Sequence, residues 1–163
     1  MKTFILISCV SKKVDFETSA EDLYISPLFK YNLAYAKGLN PEKIFILSAK
    51  YGLLELDSQI KPYNQTLNQM DINQRKIWAK NVLEKLENKI NLKEDKIIFL
   101  AGKRYREFLV PHITNFWLFN SNILGAVIGC YLGLKYAPQI DKFFYVERRG
   151  RKKPGKTRLK RLK

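Results

Sequence analysis

Three short apolar runs recur along the chain. Residues 3–9 (TFILISC), 43–48 (KIFILS) and 96–101 (KIIFLA) are nearly continuous in apolar residues, and each ends in a small residue. Uninterrupted runs of this length are typical of strands that are buried on both faces of a parallel sheet. The pattern therefore predicts three buried, parallel strands.

Helical signals lie between these runs. Ser26 followed by Pro27 predicts a helix start, and Gly38 is expected to end that helix. Asp71 with Gln74 forms a capping box. The helix that follows it carries an apolar stripe at a spacing of four residues, formed by Trp78, Val82, Leu86 and Ile90.

Weaker signals continue towards the C-terminus. Gly102 is expected to open a short helix that Pro111 kinks or stops. Residues 117–123 predict a further strand, 125–136 a helix and 143–146 a last short strand. Because strands and helices alternate, we expect a single three-layer α/β domain with a mostly parallel central sheet over residues 1–147, and a basic tail over 148–163.

Positive charge is concentrated in the C-terminal tail. The 163 residues contain 30 Lys and Arg and 15 Asp and Glu, for a net charge of +15. Ten of the cations and no acid lie within residues 148–163, including Arg148, Arg149, Arg151, Lys152 and Lys153. Because buried unpaired charge loses its hydration, this run must stay solvated or meet an anionic surface.

Three interpretations fit such a run. The first is a disordered tail that increases solubility and has no partner. The second is a membrane-binding helix, which needs an apolar face, but the run offers only Leu159 and Leu162. The third, which we expect, is a segment that binds nucleic acid with an affinity that falls steeply with salt. Cys9 and Cys130 form no CxxC spacing, and no signal peptide or membrane span is evident, so we expect a cytoplasmic protein.

The strand ends predict the site. Ligands of open α/β sheets bind beyond the carboxyl ends of the strands. The three runs deliver polar and aromatic residues there, namely Ser8, Cys9, Lys12 and Lys13, then Ser48, Lys50, Tyr51 and Gly52, then Gly102, Lys103, Arg104 and Tyr105.

The loop after the second run carries the most chemistry. Gly52 suits positive φ or close backbone approach, Tyr51 offers a face for stacking, and Asn64 can pair with a base edge. Packing of Tyr51 and Tyr63 at the sheet edge is the structural alternative. Lys12 and Lys50 are phosphate ligands or simply solvated.

Other chemistries are disfavoured. No GxGxxG motif occurs, and His112 is the single histidine, so dinucleotide sites, serine triads and multi-histidine metal sites are not supported. Residues 150–157 (GRKKPGKT) match the letters GxxxxGK[ST] but lie within the basic run 148–163, and we do not expect a Walker-type site there. We expect neither cofactor nor metal, and a structural or surface role for His112. Cys9 is a candidate nucleophile or a buried structural thiol.

The motifs in order resemble a known family. Ile7-Ser8-Cys9 with Lys12-Lys13, Tyr24-Ile25-Ser26-Pro27, Ser48-Ala49-Lys50-Tyr51-Gly52-Leu53 with Pro62-Tyr63, and Ala101-Gly102-Lys103-Arg104-Tyr105 resemble the YaaA-like family, often labelled peroxide-stress or DNA-binding. That family is similar to a domain of archaeosine-synthase-type tRNA-modifying enzymes. Its neighbourhood includes a phage-defence DNA glycosylase with an architecture like that of uracil-DNA glycosylases.

The resemblance implies a function and a partner. The expected activity is excision of a modified base, such as glucosylated hydroxymethylcytosine, from double-stranded phage DNA, without a membrane or an obligate protein partner. The alternatives are a non-catalytic DNA-binding protein of the oxidative-stress response and a fragment of a tRNA-modifying transferase.

The glycosylase hypothesis assigns roles to residues. Such an enzyme needs a carboxylate near the sugar, for which Asp57 is the first candidate and Asp22 the second. Lys50 or Lys12 would hold the flanking phosphates, Tyr51 would stack and Asn64 would read the base. Tyr24, Ser26 and Tyr63 complete the expected nucleic-acid surface.

Overall fold

A computed structural model describes residues 1–119 and 144–145. These residues form a six-stranded mixed sheet and a separate two-stranded sheet. The strands are β1 (Thr3–Ser8), β2 (Thr18–Ser19), β3 (Lys43–Ser48), β4 (Gly52–Glu55), β5 (Gln59–Ile60), β6 (Lys96–Leu100), β7 (Phe116–Phe119) and β8 (Phe144–Tyr145). The helices are α1 (Ala20–Leu23), α2 (Pro27–Gly38), α3 (Ile72–Glu87) and α4 (Lys103–Arg106), and a 3₁₀ turn spans Val110–His112.

The large sheet has the order β4-β3-β1-β6-β7-β8. Its four inner strands are parallel, whereas the described strands at the two edges, β4 and β8, run antiparallel to their neighbours. The predicted α/β class with a mostly parallel central sheet is therefore confirmed.

The central strand β1 shows why the apolar runs are continuous. All four residues from Phe4 to Ile7 are buried. Because successive side chains of a strand point to opposite faces, both faces of the sheet are covered at this strand. The three predicted strands are confirmed to within one residue at their ends.

Helix α2 begins and ends as predicted. The Ser26 hydroxyl accepts a hydrogen bond from the Phe29 N–H at 3.2 Å, and Pro27 occupies the first helical turn. Gly38 is the last helical residue and has no positive φ, whereas Asn40 has a φ of 47°. The predicted end of α2 at Gly38 is confirmed, and the left-handed residue that follows the helix is Asn40, because asparagine tolerates that conformation.

Helix α3 follows its sequence pattern closely. Asp71 Oδ1 accepts from the N–H groups of Asn73 and Gln74, and the Gln74 side chain accepts from the Asp71 N–H, which completes the capping box. The predicted stripe is buried, with Val82 and Leu86 fully enclosed. This face packs near β4 and fixes α3 against the edge of the sheet.

The structure describes only part of the region for which the C-terminal strands and helix were predicted. The strand expected at 117–123 is present at Phe116–Phe119, and the one expected at 143–146 is present at Phe144–Tyr145. The predicted helix at 125–136, Cys130 and the tail, including Arg148, Arg149, Arg151, Lys152 and Lys153, lie outside the described residues. Among the helices that are described, none is long and apolar enough to cross a membrane.

Candidate functional site

A cavity lies at the carboxyl ends of two central strands. It has a volume of about 540 Å³ and is reached from β1, α2, the loop before α3, and the segment from β6 into α4. Six of its residues were predicted from the strand ends: Ser8, Cys9, Gly102, Lys103, Arg104 and Tyr105. The expected convergence of the first and third strand ends is confirmed.

The cavity combines apolar walls with a cationic side. Val10, Leu28, Leu100 and Ala101 contribute apolar surface. Lys103 also lines the cavity and is exposed to solvent. An apolar enclosure with a few polar groups is the usual composition of a small-molecule or base-binding pocket.

Cys9 lines the cavity. It is a free, buried cysteine, and its Sγ lies 3.2 Å from the hydroxyl oxygen of Tyr105. Burial raises the pKa of Tyr105 above its ordinary value, and the nearby Cys9 shifts it in the same direction. Tyr105 therefore stays a neutral phenol, able to donate a hydrogen bond. Its ring is held edge-on against Trp78, with 5.8 Å between the centroids.

A second polar cluster lies at the end of β3. The Tyr63 hydroxyl lies 2.8 Å from that of Tyr24 and 2.7 Å from Ser48 Oγ, which also accepts from the Tyr51 N–H. Burial raises the pKa values of Tyr24 and Tyr63, and Cys9 is the next contributor for both phenols. The cluster thus adjoins Cys9, which lines the cavity. Tyr24, which was expected on the nucleic-acid surface, is fully buried in this cluster.

Lys13 covers this cluster, while Lys12 does not. The Nζ of Lys13 lies 4.3 Å from the centroid of the Tyr63 ring, and burial lowers the pKa of Lys13, an effect that Cys9 opposes. Lys12 is exposed. A desolvated ammonium on an aromatic face is a cation–π contact.

The loop after β3 is held by its own neighbours. The Tyr51 hydroxyl donates to the Lys61 carbonyl at 3.2 Å, and the Tyr51 ring meets Tyr63 edge-on at 5.4 Å. Lys50 Nζ lies 5.1 Å from the Tyr51 ring centroid. Gly52 has a φ of 76°, so the predicted positive φ is confirmed.

The two candidate carboxylates lie elsewhere. Strand β4 runs antiparallel to β3, so Asp57 falls near the amino ends of the parallel strands, in a surface cavity that includes Lys43 and Ile44. Asp22 is exposed, accepts from Ser19 Oγ at 2.8 Å and lies 4.0 Å from Lys30. The expectation that Asp57 joins the strand-end site is wrong, because the turn at Gly52 reverses the chain. Neither carboxylate lines the 540 Å³ cavity.

Three other residues that were predicted to bind nucleic acid have contacts or positions that the sequence did not indicate. Ser26 caps α2 with its hydroxyl. Asn64 is exposed and does not line the strand-end cavity. A guanidinium N–H of Arg104 donates to the main-chain carbonyl of Asn68, which gives Arg104 a positioning role besides its place in the wall.

Six residues of the cavity were not predicted: three beside the strand ends, Val10, Leu100 and Ala101, and three from other elements, Leu28, Asn32 and Asn68. Leu28 and Asn32 reach it from α2, and Asn68 reaches it from the loop before α3. Leu28 and Asn32 are four residues apart, so they share a helix face. That spacing was a usable signal, whereas no local pattern marks Asn68.

The described residues offer no metal centre: across 1–119 and 144–145, no group of three or more His, Cys, Asp or Glu side chains is placed to hold an ion. His112, in the 3₁₀ turn, is exposed, which confirms its surface position.

Comparison with known proteins gives one match. Neither the curated proteins nor the solved structures contain a chain that matches this one. The model of one protein family matches residues 4–129, which make up most of the chain. This range includes all the residues that line the cavity. The chain belongs to this family, a family of unknown function (DUF6884).

Proposed function

We propose that the protein binds DNA, takes a modified base into the strand-end cavity and hydrolyses its N-glycosidic bond. The observation that carries this proposal is the cavity of about 540 Å³ at the carboxyl ends of parallel strands. Ligand pockets usually measure about 300–1,000 Å³ and occupy this position in α/β sheets. A uracil-DNA-glycosylase-like arrangement, an anti-phage role and a glucosylated hydroxymethylcytosine substrate are parts of the proposal that rest on the resemblance of the motifs.

Base excision requires an extruded nucleotide, because the glycosidic bond is inaccessible within a duplex. The apolar walls at Val10, Leu28 and Leu100 favour a flat base over solvent. Lys103 beside the cavity and Lys12 and Lys50 at the same sheet edge supply cations for the flanking phosphates. The basic tail adds affinity for any phosphate chain but no selectivity.

The chemistry is a hydrolysis. The C1′–N bond breaks, its electron pair leaves with the base, and water adds its oxygen to C1′ while its proton passes to the departing base. Within the described part of the chain, the cavity wall contains no Asp or Glu that could stabilise positive charge on the sugar. The site can instead stabilise the negative charge that develops on the departing base. The Tyr105 hydroxyl and the Lys103 ammonium are the donors for that task.

A second candidate is DNA binding without catalysis, as in the stress-response alternative. The lack of a carboxylate among the described cavity residues favours it, because glycosidases commonly use one beside the sugar. Both candidates share the DNA surface and differ in whether free base is released.

The deciding experiment uses the full chain with duplexes that contain either ordinary cytosine or glucosylated hydroxymethylcytosine. Abasic sites are scored by alkaline strand cleavage, and free base by chromatography. Release from the modified duplex supports the glycosylase, whereas binding to both duplexes without release on either would falsify it.

Three variants sharpen the result. Lys103→Ala should slow release, whereas Lys93→Ala, an exposed lysine before β6, should not. Asp57 lies near the amino ends of the parallel strands, away from the cavity, so Asp57→Asn should also release base at the normal rate. Loss of release in Asp57→Asn would return the catalytic carboxylate to Asp57 and refute the proposed site.

A further inference from the structure

Two asparagines line the strand-end cavity from different elements. Asn32 lies in the middle of α2, and Asn68 lies in the loop that leads to α3. Both line the cavity beside the apolar surface of Leu28 and Leu100. The cavity therefore has an amide on two of the elements that form its wall.

These two amides differ from the other polar groups of the region. Tyr105, Ser48 and Tyr63 each have a hydrogen-bonding partner within the protein. By contrast, in the part of the chain that the structure describes, the side-chain amides of Asn32 and Asn68 make no hydrogen bond. Asn32 is half-buried and Asn68 is exposed, so both amides can exchange water for a ligand that occupies the cavity.

The backbone holds both residues in place. Asn32 lies on a helix of twelve residues. Asn68 is fixed on both sides of its main chain: its N–H donates to Thr66 Oγ1 at 3.2 Å, and its carbonyl accepts from the Arg104 guanidinium. A ligand can thus meet the two amides with little ordering of the main chain, which lowers the entropic cost of binding.

An amide group presents a donor and an acceptor side by side. It pairs in two-point fashion with a planar edge that carries the complementary pair, such as an exocyclic amino group beside a ring nitrogen. Phosphates and plain hydrocarbon offer no such edge. The apolar cavity with two free amides therefore suits a nucleobase, with Lys103 placed for an adjoining anionic group.

We infer that Asn32 and Asn68 determine specificity by reading the hydrogen-bonding edge of an extrahelical nucleobase in the cavity. This inference rests on the proposed function, since it assumes that the ligand of the cavity is a base of DNA. It replaces Asn64, which lies outside the cavity, as the reader of the base.

The test measures equilibrium binding of the full chain to duplexes that carry one extrahelical nucleotide. The base is adenine, cytosine, guanine, thymine or glucosylated hydroxymethylcytosine, and the reference duplex carries an extrahelical abasic nucleotide. The preference for a base over the abasic reference isolates contacts to the base, because the phosphates are the same in both duplexes.

We expect at least one base to bind about tenfold or more tightly than the abasic reference, as good two-point pairing provides. Asn32→Ala and Asn68→Ala should each remove most of that preference and leave affinity for the abasic duplex within about twofold, because phosphate contacts carry it. Asn64→Ala is the matched control and should keep the full preference. Circular dichroism and thermal melting verify that each variant is folded.

Two outcomes would overturn the inference: a wild-type protein that binds every base no better than the abasic reference, or alanine variants that behave like Asn64→Ala. Base release is scored separately on the modified duplex. A protein that prefers a base through Asn32 and Asn68 but releases none would retain the inference and lose the glycosylase activity, so the two failures are distinguishable.

Discussion

The indole Nε1 of Trp78 donates a hydrogen bond to the main-chain carbonyl of Ser48 at 2.9 Å. This bond joins α3 to the carboxyl end of β3, where the hydroxyl of Ser48 begins the tyrosine cluster. Trp78 also packs edge-on against Tyr105. One side chain of the predicted apolar stripe therefore supports both halves of the candidate site.

Trp78→Phe should lower the free energy of unfolding by about 1–3 kcal/mol, because it leaves the buried Ser48 carbonyl without its donor. Chemical denaturation measures the change. Ile77→Ala, an exposed residue on the same helix, is the control and should stay within about 0.5 kcal/mol of the wild type. Equal effects of the two substitutions would show that the Trp78 bond contributes nothing.

Two glycines should respond to alanine with opposite signs. Gly52 has a φ of 76°, and a Cβ there would meet Val82 Cγ2 at an ordinary 3.6 Å, so the cost is conformational, about 1–2 kcal/mol. Gly38 lies in the last turn of α2, where an added Cβ would have no neighbour within 4 Å, so Gly38→Ala should stabilise by about 0.4–1 kcal/mol. Thermal denaturation of the two variants decides the matter, and destabilisation by Gly38→Ala would contradict the assignment.

The sequence predicted those features that local chemistry determines. The three buried strands, the capping box at Asp71 and the start of α2 at Ser26 each depend on residues within one turn or one strand. The position of the cavity followed from the strand directions, since parallel strands end at one edge.

The misplaced residues depend on how distant segments pack. Asp57 follows Tyr51 and Gly52 closely in sequence. The hairpin of β3 with β4 nevertheless places it near the amino ends of the parallel strands, away from the cavity. Asn32 reads as an ordinary polar position on a helix, and Asn68 as a loop residue, until α2 and the Arg104 contact place them in the cavity wall. The four-residue spacing of Leu28 and Asn32 marks a shared helix face, but nothing in the sequence shows which surface that face meets, and no local pattern marks Asn68.

The tyrosine cluster should show strong coupling between Tyr24 and Tyr63. Tyr63→Phe removes a partner of the buried Tyr24 hydroxyl and one partner of Ser48, for an expected loss of about 1–3 kcal/mol in the free energy of unfolding. Adding Tyr24→Phe should then cost less than it does in the wild type, since its hydroxyl has already lost the Tyr63 partner and keeps only the contact with Ser48. A double-mutant cycle by denaturation should give a coupling of about 0.5–3 kcal/mol, and additive losses would disprove the linkage.

Stability should fall above about pH 10. The folded chain holds the protons of Tyr24, Tyr63 and Tyr105 because burial raises their pKa values, whereas phenols of the unfolded chain ionise near pH 10. The native state then binds more protons, so the free energy of unfolding falls as pH rises. Lys13 acts in the opposite sense. Burial lowers its pKa in the folded chain, so the unfolded chain binds more protons at pH values between the lowered pKa and the ordinary one.

Denaturation midpoints and tyrosinate absorbance across this pH range test the effect. Part of the absorbance change should coincide with unfolding, and Tyr105→Phe should make the loss of stability shallower. Ionisation of all nine tyrosines while the protein remains folded would refute the assignment.

The basic tail should govern the salt dependence of DNA binding. Each cation that contacts a phosphate of duplex DNA contributes about 0.9 to the slope of log affinity against log salt, and residues 148–163 contain ten. Deleting this segment should therefore flatten the slope, while the base-dependent preference carried by Asn32 and Asn68 persists. Binding titrations at several salt concentrations measure the slope, with Lys93→Ala as a control that alters one exposed cation outside the cavity wall. An unchanged slope after the deletion would assign the phosphate contacts to the body of the protein, with Lys12, Lys50 and Lys103 as the first residues to substitute.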